Sequence, residues 1–364
     1  MGDDELVLEA KRLIDALAAS PRFAGSEEEG ASRALCTEKL RKAGFTTTET
    51  GFDFSEWPGR FGIPLIAAWL VSSIALVAAA GSTDPGLGGL AFMATTGLGT
   101  YFMFKRRANA TRDVKWLRSR STNLEAARGT PKTWLVAHLD SKSQSVSMLL
   151  RVSSNAILMA AFGIETAVLF LAQLGILGSP HLGWFAIAGI IAAIPSLLCF
   201  VGNESPGALD NSTGVAAVIL AARLVSPEKP VGVLITSGEE LDLAGARAWS
   251  DGRPKGALMI NCDTIDEAGT WRCMYVSRPQ ALALAAEKAA KKLGLGLRMG
   301  KVIPGIITDS MAFEAAGLPS VTLSRGTVKT LARLHTKGDS ADRLTGSGAA
   351  TAARILAQMV EELA

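Results

Sequence analysis

Residues 133–142 read TWLVAHLDSK. Four apolar residues run into His138, and Asp140 follows two positions later. A short, uninterrupted apolar run ending in polar residues predicts a strand buried on both faces, with His138 and Asp140 at its carboxyl end. The next polar cluster, SPGALDNSTG at 205–214, lies about 70 residues on, and the stretch between is almost wholly apolar.

Beyond residue 203 the strand pattern repeats. Apolar, strand-length runs at 231–238, 256–263, 271–277 and 320–324 alternate with helical stretches at about 212–225, 242–251, 279–293, 309–316 and 345–363. Alternation of this kind predicts an α/β domain with a mostly parallel central sheet between helical layers. The domain also reaches backward. Residues 3–20 and 26–44 have helical spacing and 45–54 strand character, whereas GLGLRMG at 294–300 reads as a turn rather than a phosphate loop.

Four apolar segments interrupt this domain, at 61–82, 86–104, 152–177 and 182–202. Each approaches the roughly 20 residues that span a bilayer core. The turns STDPG and GSPH (178–181) join them in pairs, predicting hairpins over 59–104 and 149–202, with the polar domain formed by 1–58, 105–148 and 203–364. Seven Lys or Arg in KRRANATRDVKWLRSR at 105–120, with Arg60 and Arg151, flank the hairpins on one side only. By the excess of positive charge on cytoplasmic loops, the polar domain and both termini are expected in the cytoplasm, with anionic lipid beside 105–120 and His181 as an interfacial polar residue. Glu165, midway along a span, is expected to face a bundle interior or wet cavity.

The bulk composition agrees. The 364 residues are 48 % hydrophobic and 20 % charged, with a net charge of +3 from 37 basic and 34 acidic residues, and the mean hydropathy is +0.27. That balance argues against a nucleic-acid partner. Four cysteines without CxxC spacing suit a reducing compartment, and the acidic, amphipathic start lacks the form of a secretory signal.

Polar residues gather at the predicted strand ends: His138, Asp140, Asp210, Glu239, Glu240, Asp263 and His335. The crevice beyond the carboxyl ends of parallel strands is where such sheets carry chemistry, and imidazole with carboxylate suits Zn²⁺ or a similar divalent ion, with Co²⁺ or Mn²⁺ as alternatives. The segments AHLDS (137–141), SPGALDNSTG (205–214), SGEELDLAGARAW (237–249), NCDTI (261–265), TDSMAFEAAGLPSVTL (308–323) and HTKGDSAD (335–342) occur in that order. PRFAGSEEEGASRALCTEKLRKAGF at 21–45 precedes them. As an ordered set they resemble the two-zinc aminopeptidase family, whose relatives include glutamate carboxypeptidase and glutaminyl cyclase.

The resemblance implies an aminopeptidase-like three-layer fold and a metallopeptidase or amidohydrolase activity on two Zn²⁺. It implies His138 and Asp263 on one metal, Glu240 and His335 on the other, Asp210 bridging, Glu239 as general base, and Asp140 fixing the tautomer of His138. Two departures stand out. Leu334 occupies the place before the last histidine where family hydrolases often have tyrosine, and the second hairpin is inserted between the motifs of His138 and Asp210. Peptide or lipophilic amide substrates and membrane lipids are the expected partners, with the oligomeric state open. A glutaminyl-cyclase-like acyltransferase with a single zinc, or a non-catalytic receptor or scaffold, are the rival readings.

Overall fold

In the computed structural model, which describes residues 2–177, 182–253 and 255–363 and only the backbone of 102–113, the chain forms two compact units. The first comprises Met1–Phe54, Arg118–Ser143 and Gly202–Ala364; the second comprises Ser55–Leu117 and Gln144–Val201. The turn expected at 178–181, with His181, lies outside the described residues.

The first unit opens with helices α1 (Asp3–Leu17) and α2 (Glu27–Lys42) and strand β1 (Thr46–Ser55). Ser26 caps α2 by accepting from the Glu29 N–H, and Gly44, in the left-handed region, follows its end. The second unit holds α3 (Trp57–Thr83), α4 (Pro85–Asp113), α5 (Met148–Gln173) and α6 (Gly183–Leu197). Strands β2 (Arg118–Arg128) and β3 (Thr133–His138) come between α4 and α5, and the two-residue strands β4 (Ser143–Gln144) and β5 (Val201–Gly202) flank the second insertion. Thereafter come α7 (Thr213–Leu224), β6 (Val231–Thr236), α8 (Ala244–Ser250), β7 (Leu258–Ile265), β8 (Thr270–Tyr275), α9 (Gln280–Lys292), β9 (Leu297–Lys301), α10 (Asp309–Ala315), β10 (Ser320–Gly326), α11 (Val328–Arg333) and α12 (Ser347–Glu362).

The eight-stranded sheet has the order β1-β2-β6-β3-β7-β10-β8-β9. Its centre, β6-β3-β7-β10, is parallel, as is the pair β8-β9, while β2 runs antiparallel to β6 and β8 antiparallel to β10, so the sheet is mixed around a parallel core. Every residue of β3 and β6 is buried, as expected of central strands covered on both faces. On one face Trp134 and Val136 of β3 pack with Leu234, Met259, Trp249 of α8 and Phe313 of α10. Trp134 and Trp249 meet edge-on at 5.2 Å between centroids, and Gly232 opposite Trp134 is required, since a Cβ there would lie 2.4 Å from the indole. GLGLRMG is only partly a turn: its second half is strand β9.

In the second unit, α3 and α5 are, among the described residues, the helices long and apolar enough to cross a membrane, at 27 and 26 residues. Of the four expected spans, these two meet that measure. Helix α6 is apolar but stops at 15 residues, and α4 runs on through 105–113 instead of ending before the basic stretch. The four helices pack on one another through Val77, Ala78, Leu169 and Leu182, against which Ala91 and Phe92 of α4 lie, and through Ile74, Leu158 and Ala193. Their outward residues are apolar too: Leu76, Leu90, Met93, Ile157, Phe170, Trp184 and Ile191 are all more than half exposed. Glu165 of α5 is fully buried, and among the described residues neither of its carboxylate oxygens has a hydrogen-bond partner.

Candidate metal centre

Strand β3 delivers His138 and, two residues on, Asp140, both completely buried. The Asp140 carboxylate accepts from the backbone N–H of Glu239 and of Glu240, each at 3.1 Å. It thereby fixes the turn beyond β6, where Gly238 in the left-handed region lets the chain reverse. The ring of His138 is also oriented by Asp140. Its Nδ1 lies 3.1 Å from the Asp140 carbonyl oxygen and 3.7 Å from Oδ1, so the main chain of Asp140 orients the ring while its side chain holds the glutamate pair.

Asp210 sits in the loop leading to α7. Its Oδ1 lies 3.0 Å from His138 Nε2, and its Oδ2 lies 3.1 Å from His335 Nε2. Asp263, from the end of β7, is 3.7 Å from His138 Nε2, and Glu240 Oε1 is 3.1 Å from His335 Nε2. Two buried triads result, His138–Asp210–Asp263 and Asp210–Glu240–His335, with candidate ligand atoms within 4.8 Å of one another in each and Asp210 common to both. Glu239 stands beside them without belonging to either. Leu334, where a tyrosine would be expected, is buried and offers no hydroxyl.

The electrostatics fit a cation. Burial by itself would lower the His138 imidazole, but the surrounding Glu239, Asp140, Asp210 and Asp263 carboxylates hold it well above its ordinary value. His335 is raised likewise, against burial, by Glu240 and Asp210. Burial pushes Glu239 well above the usual carboxylate range, opposed by His138 and reinforced by Glu240 and Asp263. Glu240 is instead lowered to about 2, because His335 and Lys142 outweigh its burial. Ringed imidazoles that attract protons this strongly would hold a dication in their place. The donor atoms agree: His138 Nε2 and Glu240 Oε1, one in each triad, are buried and face other ligand-type atoms, Asp210 Oδ1 at 3.0 Å and His335 Nε2 at 3.1 Å. Nitrogen and oxygen donors of this kind suit Zn²⁺.

Sequence reasoning missed the residues that hold the Asp210 loop. Asp339 accepts from Leu209 N at 2.7 Å and Asp210 N at 3.2 Å. Asn211 Nδ2 donates to Cys262 O, and Asn211 Oδ1 accepts from Thr264 N, tying the loop to the end of β7. Arg22 is wholly buried and donates to the carbonyls of Leu17, Leu139, Pro206 and Gly207. It thus joins the His138 loop to the Asp210 loop. Burial lowers its guanidinium to about 10. Arg22→Met is expected to strand four buried carbonyls and destabilise the first unit by at least about 3 kcal/mol, read as a lower melting temperature with the zinc-free chain affected as much as the loaded one.

Residues 190–360 match the family model described as peptidase family M28. No curated protein matches the chain by sequence. Among solved structures, the fold is similar to a zinc aminopeptidase from Bacillus subtilis, with TM-score 0.57 and 14 % identity over 98 % of this chain and 95 % of that one. It is similar to an aminopeptidase from Aneurinibacillus sp. strain AM-1, with TM-score 0.58 and 12 % identity over 100 % and 96 %. It is also similar to a glutaminyl cyclase from Bacteroides thetaiotaomicron, with TM-score 0.55 and 15 % identity over 99 % and 97 %. Residues 190–360 thus match peptidase family M28, the whole chain has the fold of zinc aminopeptidases and glutaminyl cyclases, and together these likenesses support a zinc metallopeptidase.

Proposed function

We propose that this chain is a membrane-anchored two-metal hydrolase that cleaves an amide bond, either at the N-terminus of a peptide or in a lipophilic, N-acylated amide. The observation that carries the reading is the pair of buried triads sharing Asp210, with Glu239 beside them and in neither. Two bound cations would supply Lewis acidity toward a water and the substrate carbonyl. The chain's own part is proton transfer. Glu239, held proton-avid by its burial, takes a proton from the water as its oxygen bonds to the carbonyl carbon. It then gives that proton to the amide nitrogen as the C–N bond breaks.

The single-zinc acyltransferase reading predicts one bound ion per chain. The complete ligand set speaks against it, and the presence of Glu239 speaks against a non-catalytic scaffold.

Anchoring rests on α3 and α5 and on the apolar outer surface of their unit, which water would solvate poorly. The ends of the second insertion are joined within the first unit, where Ser141 Oγ donates to the carbonyl of Ser205 at 3.1 Å. That insertion falls between His138 and Asp210, which supports hydrolysis close to the bilayer, with the unit of residues 1–54, 118–143 and 202–364 as the catalytic domain on the cytoplasmic side. The test is turnover by the whole chain in nanodiscs on unacylated peptides and on N-acyl amino acids of increasing chain length. The lipophilic assignment predicts that kcat/KM rises at least about tenfold from short to long acyl chains. Activity confined to water-soluble peptides would remove it and leave the hydrolase reading standing.

A further inference from the structure

The two halves of the centre match in donor type but not in surroundings. Each offers one imidazole and one carboxylate in addition to the shared Asp210. Beside Asp263 the donor is an uncharged hydroxyl, Thr264 Oγ1, at 3.1 Å. Beside Glu240 it is an ammonium: Lys142 Nζ lies 2.7 Å from Glu240 Oε2 and donates to the Glu240 carbonyl oxygen at 3.0 Å. Lys142 is 9 % exposed, so mobile ions and water screen its charge little. It comes from AHLDSK, the same short segment that supplies His138 and Asp140.

Two effects follow from this contact, and they oppose each other. A donor on Oε2 fixes the Glu240 carboxylate and leaves Oε1, which faces His335, to meet a cation. A neutral donor such as a glutamine amide could orient the carboxylate in the same way. The positive charge does something else: it partly neutralises Glu240 and repels any dication that binds through the same carboxylate. In a buried, weakly screened site the repulsion outweighs the gain from orientation.

We propose that Lys142 makes the centre unequal, its ammonium weakening divalent-cation binding at the Glu240–His335 half, so that the His138–Asp263 half fills first and the second cation is held loosely. The proposal rests on the two-cation reading of the site. Over a range of free zinc concentration the chain would then carry one cation, with the Lys142 charge standing next to the vacant half. Zinc supply would thereby set the loading of the centre. Lys142 acts here as a positioning and tuning residue, reaching the substrate only through Glu240.

The test is Zn²⁺ titration of the metal-free, full-length chain in detergent against a chromophoric chelator, comparing wild type with Lys142→Gln and Lys142→Arg. Wild type is expected to bind in two separated steps. Lys142→Gln keeps a donor and loses the charge; it should tighten the second step at least about tenfold, or about 1.4 kcal/mol, and leave the first unchanged. Lys142→Arg keeps the charge and should keep the separation. A second constant in Lys142→Gln that is unchanged or weaker overturns the proposal, as does an equal loss at both steps, which would make Lys142 a structural support of the whole centre. Wild type that binds no zinc would sink the two-cation reading itself; two zinc ions with a separation indifferent to residue 142 would sink only the role of Lys142.

Discussion

Glu239→Gln is expected to lower kcat by about 10³-fold, within the range general-base catalysis supplies, while zinc content stays at the wild-type level. Glutamine has nearly the same volume and can keep the turn beyond β6, whose N–H groups at 239 and 240 are held by Asp140 and not by the Glu239 side chain. It cannot take a proton from water. Because Glu239 lies in neither triad, losing its charge removes no ligand. Its proton affinity is raised by burial and by neighbouring carboxylates, which prepares it to receive a proton in the reaction and to give it up to a leaving amine. Turnover measured beside metal analysis separates the possibilities. Loss of zinc together with activity would make Glu239 a ligand, and turnover at the wild-type rate would exclude it as the base.

The candidate ligands of this centre were legible because they follow apolar runs. His138, Glu240 and Asp263 each come just after, or end, a strand whose residues are buried on both faces, and such strands announce themselves as unbroken apolar stretches. The outer strands do not. Strand β2 alternates buried and exposed residues behind a run of basic residues, and β9 is half-exposed, so neither stands out against loop. The antiparallel pairs that make the sheet mixed are β2 with β6 and β8 with β10, and the direction in which β8 pairs leaves no local pattern in an apolar run. The fourth apolar segment is a related case: hydropathy registers the run 182–202 but not where its helix stops, which here is Leu197.

Arg22, Lys142 and Asp339 carry a different lesson. Each is a lone charged residue in a polar stretch, where the ordinary expectation is solvent exposure. Their roles depend on contacts 98 to 185 residues away in the chain, such as Lys142 with Glu240 and Arg22 with Gly207. The one local sign was Asp339, which sits inside the HTKGDSAD segment with His335.

Asp210→Asn is the strongest test of the shared ligand. Each carboxylate oxygen of Asp210 faces a different histidine, Oδ1 toward His138 and Oδ2 toward His335. An amide offers one neutral carbonyl oxygen and an NH₂ that repels cations, so it can serve at most one half. It also removes the charge that offsets repulsion between two dications about 3.5–4 Å apart. Zinc content is therefore expected to fall from two per chain to one or fewer, and turnover by at least about 10³-fold, a size typical of losing a group that works as part of a unit. Stability should fall with and without metal. In the metal-free chain Asp210 lies between two imidazoles that hold its carboxyl below the usual range against burial, so the substitution should cost stability there too. With zinc present, wild type gains stability in proportion to its binding free energy, and the variant should lose most of that gain. A variant that keeps two zinc ions and the full zinc-dependent rise in melting temperature would show that Asp210 does not bridge.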